Sequence, residues 1–93
     1  MAEAERTRCK VPFCGRSKKG AWLWWVCPEH WRAVDRELKA LRTRLKRRFR
    51  KRGEILEGKT WWRTTSSRAT RAIGGVERRM IRQAIERAAG ISA

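Results

Sequence analysis

The chain has 93 residues, with 25 Lys or Arg against nine Asp or Glu and a formal net charge of +16. That is one domain's length and too little chain to bury a large core unaided, so a metal or covalent staple is expected. The charge is too one-sided to serve solubility alone and points to polyanions: nucleic acid first, an acidic protein second, an acidic membrane surface last.

The first eight residues, MAEAERTR, are polar and mixed in charge and read as a flexible N-terminus over 1–8, without the apolar stretch of a secretory signal. The longest apolar run, Ala21 to Val26, is far too short to cross a bilayer. A reducing cytoplasm is therefore expected, with no membrane partner. Three cysteines there serve as thiols or metal ligands rather than disulfides.

Those cysteines and the single histidine form one pattern, Cys9-x4-Cys14-x12-Cys27-x2-His30. Zinc takes four soft or borderline donors in a tetrahedron, and Cys3His is a recurrent closed set. Two close pairs a dozen residues apart suit one ion, so Cys9, Cys14, Cys27 and His30 are the expected ligands of one structural zinc. Iron–sulfur clusters favour four thiolates and fit less well. Gly15 supplies the conformational freedom of a tight knuckle. Ser17 to Gly20 reads as a polar turn, and Ala21 to Val26 (AWLWWV) as a strand with alternating faces. Pro28 and Glu29 suit the first turn of a helix, which places Cys27 and His30 three apart on one face.

Knuckle, hairpin and a helix whose first turn carries the last two ligands: this order resembles the treble-clef zinc finger over about Cys9 to Phe49. The resemblance implies Cys9 and Cys14 as knuckle ligands and Cys27 and His30 as helix ligands. The four-residue gap in the first pair departs from the commoner two. The segment from Cys27 to Trp31 is also similar to short zinc-binding proteins of phage and prophage genomes, which implies a nucleoid-associated or host-cytoplasmic setting. Treble clefs serve ribosomal proteins, transcription factors, nucleases and adaptors, so the fold alone selects no function.

From Pro28 to Arg52 nothing breaks a helix, and Gly53 is a suitable stop. A helix over 28–52 is predicted, about 37 Å long. Trp31, Val34, Leu38, Leu41, Leu45 and Phe49 make one apolar stripe, to be covered by the rest of the chain or by a second copy in a dimer. The other faces are basic, and Lys46 to Arg52 holds six basic residues in seven. With no acidic side chain at i±4 inside the predicted helix, that stretch repels itself. Arg outnumbers Lys 18 to 7, but the lack of Asn and Tyr suggests GC-rich codon usage, so the argument rests on total charge.

Residues 53–74 read as a linker or turn region. Within it, Trp61 and Trp62 either cap a small core or stack on unpaired bases, and the hydroxyls of Thr64 to Ser67 either cap a helix or meet phosphates. A second helix is expected over 75–90, with Val76, Met80, Ile81, Ala84, Ile85 and Ala88 on its apolar face.

The fold class expected is thus a small zinc-stabilised α+β domain: knuckle and hairpin over 9–31, a long basic helix, then a C-terminal helix. The expected function is nucleic-acid binding, to DNA or RNA, in transcription or genome handling. The candidate contacts are Arg42, Arg44, Lys46, Arg47, Arg48, Arg50, Lys51 and Arg52, with Arg63, Arg68 and Arg71 as a second patch. The alternative is an adaptor whose basic surface docks on an acidic protein such as the transcription machinery. No enzyme is expected: the one imidazole is spent on the metal, and four protein ligands leave no position for water.

Overall fold

The computed structural model describes residues 5–90. In chain order the elements are β1 (Arg6–Arg8), β2 (Ser17–Lys19), α1 (Pro28–Trp31), α2 (Arg36–Lys51), β3 (Ile55–Glu57), β4 (Trp62–Thr64) and α3 (Ser67–Ala88). The result is a small α+β chain with two hairpins. It divides into two compact units, one of the described residues up to Asp35 with those from Ile81 onward, the other Arg36–Met80.

In the first unit β1 pairs antiparallel with β2, Arg6 opposite Lys19 and Arg8 opposite Ser17. Two expectations are corrected here. Residues 1–4 of the proposed flexible segment lie outside the described residues, and from Arg6 the chain is strand. Ser17–Lys19 is likewise strand rather than turn, ended by Gly20 at φ +117°. The Ala21 to Val26 run forms no strand. The main-chain partner of β1 is β2, and the run is tied to the first hairpin only locally. The Thr7 hydroxyl accepts from the Trp22 amide at 2.8 Å, and the Lys10 amide donates to the Trp25 carbonyl at 2.8 Å. Its apolar residues are used as packing groups instead: Val26 is buried, and the Trp24 and Trp31 rings lie 6.1 Å apart.

The single helix expected over 28–52 is also corrected. Pro28 opens α1 as expected, but the chain leaves the helix after Trp31 and re-enters at Arg36. Side chains far along the sequence satisfy the broken backbone. Gln83 Oε1 accepts from the Asp35 amide at 2.6 Å, its Nε2 donates to Asp35 Oδ2 at 2.8 Å, and Arg87 donates to the Ala33 carbonyl. Arg87 also pairs with the Asp35 carboxylate at 2.9 Å. Two of these bonds satisfy backbone groups that a continuous helix would have paired, the Asp35 amide and the Ala33 carbonyl, and Val34 is buried.

In the second unit α2 is closed by Gly53 at φ +74°. The Gly53 amide reaches the Arg50 carbonyl at 3.1 Å and the Glu54 amide the Phe49 carbonyl at 2.9 Å, the paired bonds of a Schellman motif. The chain then reverses into a hairpin where the sequence predicts a linker. β3 pairs antiparallel with β4, Ile55 opposite Thr64 and Glu57 opposite Trp62, and the Gly58 amide closes the turn on the Trp61 carbonyl at 2.8 Å. Ile55 joins Phe49, Ala69 and Ile73 in a buried cluster, with Leu45, Trp62 and Ala72 packed against it. The C-terminal end of the stripe, Leu45 and Phe49, is thus covered within this unit by the hairpin and α3.

α3 begins at Ser67, eight residues before the expected start at Gly75. Ser66 is its cap: the hydroxyl accepts from the Ala69 amide at 3.0 Å and donates to Glu54 Oε1 at 2.6 Å. Gly74 and Gly75 lie inside the helix, where each costs about 1 kcal/mol relative to Ala. Burial of Ile73, Val76 and Met80 around them carries the helix through.

Candidate metal centre and basic surface

The ligating atoms of Cys9, Cys14, Cys27 and His30 all lie within 4.8 Å of one another. Two elements and the loops beside them bring this about. β1 ends at Arg8 and delivers Cys9, whose amide bonds the Arg16 carbonyl across the hairpin at 2.9 Å. Between the two knuckle cysteines the chain makes a turn from Val11 to Cys14, closed by the Cys14 amide on the Val11 carbonyl at 3.2 Å. Pro12 holds its second position and Phe13, at φ +65°, its third, the signature of a type II turn. The four-residue gap is therefore a knuckle with a complete turn inserted. Gly15, at φ +75°, adopts the conformation its position in the sequence suggested.

Cys27 caps α1 in an extended conformation and His30 follows in its single turn, so both face the same point. The Cys14 and Cys27 sulfurs are 3.7 Å apart, and His30 Nδ1 is 3.2 Å from Cys27 Sγ and 3.8 Å from Cys9 Sγ. A zinc tetrahedron with Zn–S of about 2.3 Å and Zn–N of about 2.0 Å has S···S edges of about 3.8 Å and S···N edges of about 3.5 Å. The sulfurs stand well beyond the ~2.05 Å of a disulfide, and all three cysteines are free. Donor set and spacing are compatible with one zinc ion. With Nδ1 turned inward, the ring proton belongs on Nε2.

The surroundings favour thiolate at Cys27. The Cys27 amide donates to Cys9 Sγ at 3.3 Å. Burial pushes the Cys27 thiol up, but the His30 amide, the Cys14 and Cys9 thiols and the His30 ring outweigh it and bring it down to about 6. The Arg16 amide pulls Cys14 down, yet burial and the neighbouring cysteine sulfurs leave it raised. Arg16 Nη1 stands 3.9 Å from Cys27 Sγ, while its Nη2 pairs with Glu29 at 2.8 Å. Three thiolates and a divalent ion sum to a net −1, so a guanidinium at this distance is the complementary charge. Nothing in the spacing of the sequence marked Arg16 for that place.

The second unit carries the other candidate residues. It holds sixteen Lys and Arg against four Asp and Glu. Three of the eleven residues singled out from sequence are drawn into the fold. Arg42 is half-buried, pairs with Glu77 at 2.8 Å and lies 5.5 Å over the Trp62 ring. Lys46 stands 4.0 Å from the centroid of the Trp62 ring, and burial followed by the nearby Arg42 and Arg50 holds its ammonium below the usual range. Arg50 pairs with Glu57. These contacts answer the self-repulsion expected of α2: its acidic partners come from β3 and α3, not from i±4. The remaining eight, Arg44, Arg47, Arg48, Lys51, Arg52, Arg63, Arg68 and Arg71, are exposed.

The two adjacent tryptophans have opposite fates. Trp62 packs on the core under Lys46, whereas Trp61 is 54 % exposed. Of the hydroxyl run, Ser66 caps α3 and Thr64 bonds Thr70 at 2.6 Å. Phe13 and Leu23 of the first unit are fully exposed. Among the described residues no helix is long and apolar enough to cross a membrane. No protein-family model, curated protein or solved structure matches the chain.

Proposed function

We propose that the chain is a nucleic-acid-binding protein, in which a zinc ion held by Cys9, Cys14, Cys27 and His30 is structural and the basic face of the second unit meets phosphate. The observation that carries this reading is how the acids of that unit are used. Glu54 accepts from Ser66, Glu57 pairs with Arg50 and Glu77 with Arg42, leaving only Glu37 against the eight exposed candidates and the exposed Arg36, Lys59, Arg78 and Arg79. A surface of that sign gains by releasing counterions from a phosphate backbone. On this reading the knuckle and one-turn helix are a treble-clef-type scaffold. The ion, with four protein ligands, offers no site for catalysis, and thiolate ligands suit a reducing compartment.

The test is a salt titration with duplex DNA, single-stranded DNA, structured RNA and heparin. A steep loss of affinity between ~50 and ~300 mM salt, with one nucleic acid preferred over heparin, supports the reading. Changing Arg47, Arg48 and Arg52 together to Glu then lowers the slope of log K against log salt by about 2–3 and spares the fold. Equal, weak binding to all four defeats it. That result would favour the second reading, an adaptor docking on an acidic protein, for which Phe13 and Leu23 speak: fully exposed apolar side chains gain nothing from a phosphate backbone.

A further inference from the structure

Trp61 is exposed, packed on Gly58 and bracketed in sequence by Lys59 and Arg63, whereas its neighbour Trp62 is drawn onto the core. The β3–β4 pairing sorts the hairpin into two faces. Ile55 and Trp62 turn to the core, while Leu56 and Arg63, directly opposite each other, turn outward. Leu56 is 46 % exposed and Trp61, two residues before Arg63, is 54 % exposed. The indole is seated against the backbone of Gly58: a Cβ there would come 2.3 Å from Nε1 and 2.7 Å from Cε2. Only glycine admits the ring in that position, so the indole rests on the hairpin backbone with part of its surface open. Lys59 and Arg63 flank it. The one carboxylate on the hairpin, Glu57, is already paired with Arg50.

A half-open indole with cations beside it in the chain is complementary to an unpaired base on a phosphodiester chain, because every base offers a π-face and the flanking charges meet the backbone. One indole seats one base, or two on its edges. A binder of long single strands needs successive aromatics, and this unit offers one. Most of the remaining charge lies on α2, about 24 Å of helix, with more on α3 at Arg68, Arg71, Arg78 and Arg79; neither stretch of this unit has an exposed aromatic residue, so both are suited to backbone contact alone. A ligand that presents paired backbone and a few splayed bases together is an RNA stem–loop. Resting on the nucleic-acid reading above, we infer that the outer face of the β3–β4 hairpin is a stacking platform, with Trp61 receiving an unpaired loop base of a structured RNA while the α2 cations hold its stem.

The experiment uses the zinc-loaded full chain and an RNA hairpin with 2-aminopurine in its loop. It is compared with a blunt RNA duplex of the same stem sequence and with the corresponding DNA hairpin. Binding quenches the 2-aminopurine, and Trp61→Ala removes the quench and weakens hairpin binding by roughly 5- to 150-fold, the worth of one stacked base. Blunt-duplex binding stays unchanged. Trp61→Phe retains part of both signals. Gly58→Ala, which displaces the indole without removing it, reproduces much of the loss, with thermal melting confirming that each variant is folded. Equal effects of Trp61→Ala on hairpin and blunt duplex, or none, overturn the platform while leaving the basic surface standing. A DNA hairpin bound and quenched as well as the RNA overturns the choice of ligand. Absence of salt-dependent binding to any of the three overturns the nucleic-acid reading and the platform with it.

Discussion

Removing and restoring zinc is the perturbation with the largest expected effect, and the structure fixes what should be seen. In a regular tetrahedron the centre lies at the edge divided by about 1.63, so the 3.7 Å separation of the Cys14 and Cys27 sulfurs puts an ion about 2.3 Å from each, the ordinary Zn–S distance. The unit around the site is otherwise thinly built. Its buried apolar residues are Val11, Val26, Val34 and Ala84 beside Cys9 and Cys27. Zinc binding is worth about 10–16 kcal/mol in zinc-finger peptides at neutral pH, more than those four side chains contribute by burial. Chelation should therefore unfold this unit. Hydrogen exchange reads it as lost protection at the amides of Lys10 and Cys27, and near-ultraviolet dichroism as loss of the Trp24–Trp31 signal. Titration with zinc should restore both at one ion per chain. X-ray absorption of the loaded protein should show three sulfurs at about 2.3 Å and one nitrogen at about 2.0 Å. Full protection and unchanged dichroism in verified metal-free protein, or a loaded site dominated by oxygen, would refute the reasoning.

Gly74 and Gly75 lie in a helix with room beside them, since a Cβ at either meets only the Arg78 guanidinium, at 3.5 and 4.0 Å. Gly74→Ala with Gly75→Ala should stabilise by about 1–2 kcal/mol and raise the melting midpoint by roughly 4–10 °C, checked by denaturant and thermal unfolding. The bond from Gln83, then the Arg87 charge, depresses the Asp35 carboxyl. A depressed carboxylate contributes stability above its unfolded pKa of about 3.9 and loses it as pH falls through the lower folded value. The wild-type advantage over Asp35→Asn should thus be constant above about pH 5 and vanish in acid, as pH-dependent unfolding would show.

What the sequence made legible was local. Four donors in 22 residues announced their own convergence, Pro28 its helix start, and Gly53 the end of α2. What it hid depended on residues far away. The break before Arg36 is written in Gln83 and Arg87, which no window around residue 33 contains. The β3–β4 hairpin is two strands of three residues, too short for alternation to register as a period, joined by a turn without an Asn-Gly signal. The AWLWWV run misled in the opposite direction: its alternation is that of a strand, but its tryptophans are used singly. For α3, a double glycine was read as a boundary because propensity argues that way, and buried neighbours overrode it.

The placement of charge along the helices separates a structural use of arginine from one that folding does not explain. Arg48, Arg50 and Lys51 occupy the last turn of α2, where positive charge complements the helix dipole, so their presence there is stabilising in itself. Arg68 stands in the first turn of α3 and Arg71 just after it, near the positive end of the dipole, and that first turn holds no acidic residue. A cation there works against the helix dipole, and both are exposed, while the carboxylate at this end, Glu54, is held on the Ser66 cap. Arg68→Glu should accordingly stabilise the free protein, by about 0.5 kcal/mol for an exposed charge at a helix terminus. If the arginines are there for phosphate, the same change should weaken nucleic-acid binding and reduce its salt dependence. Gain in stability with loss of binding marks Arg68 as a contact retained against the interest of the fold. A variant that is more stable and binds equally well would remove α3 from the interface and leave the contact to α2 and the β3–β4 hairpin.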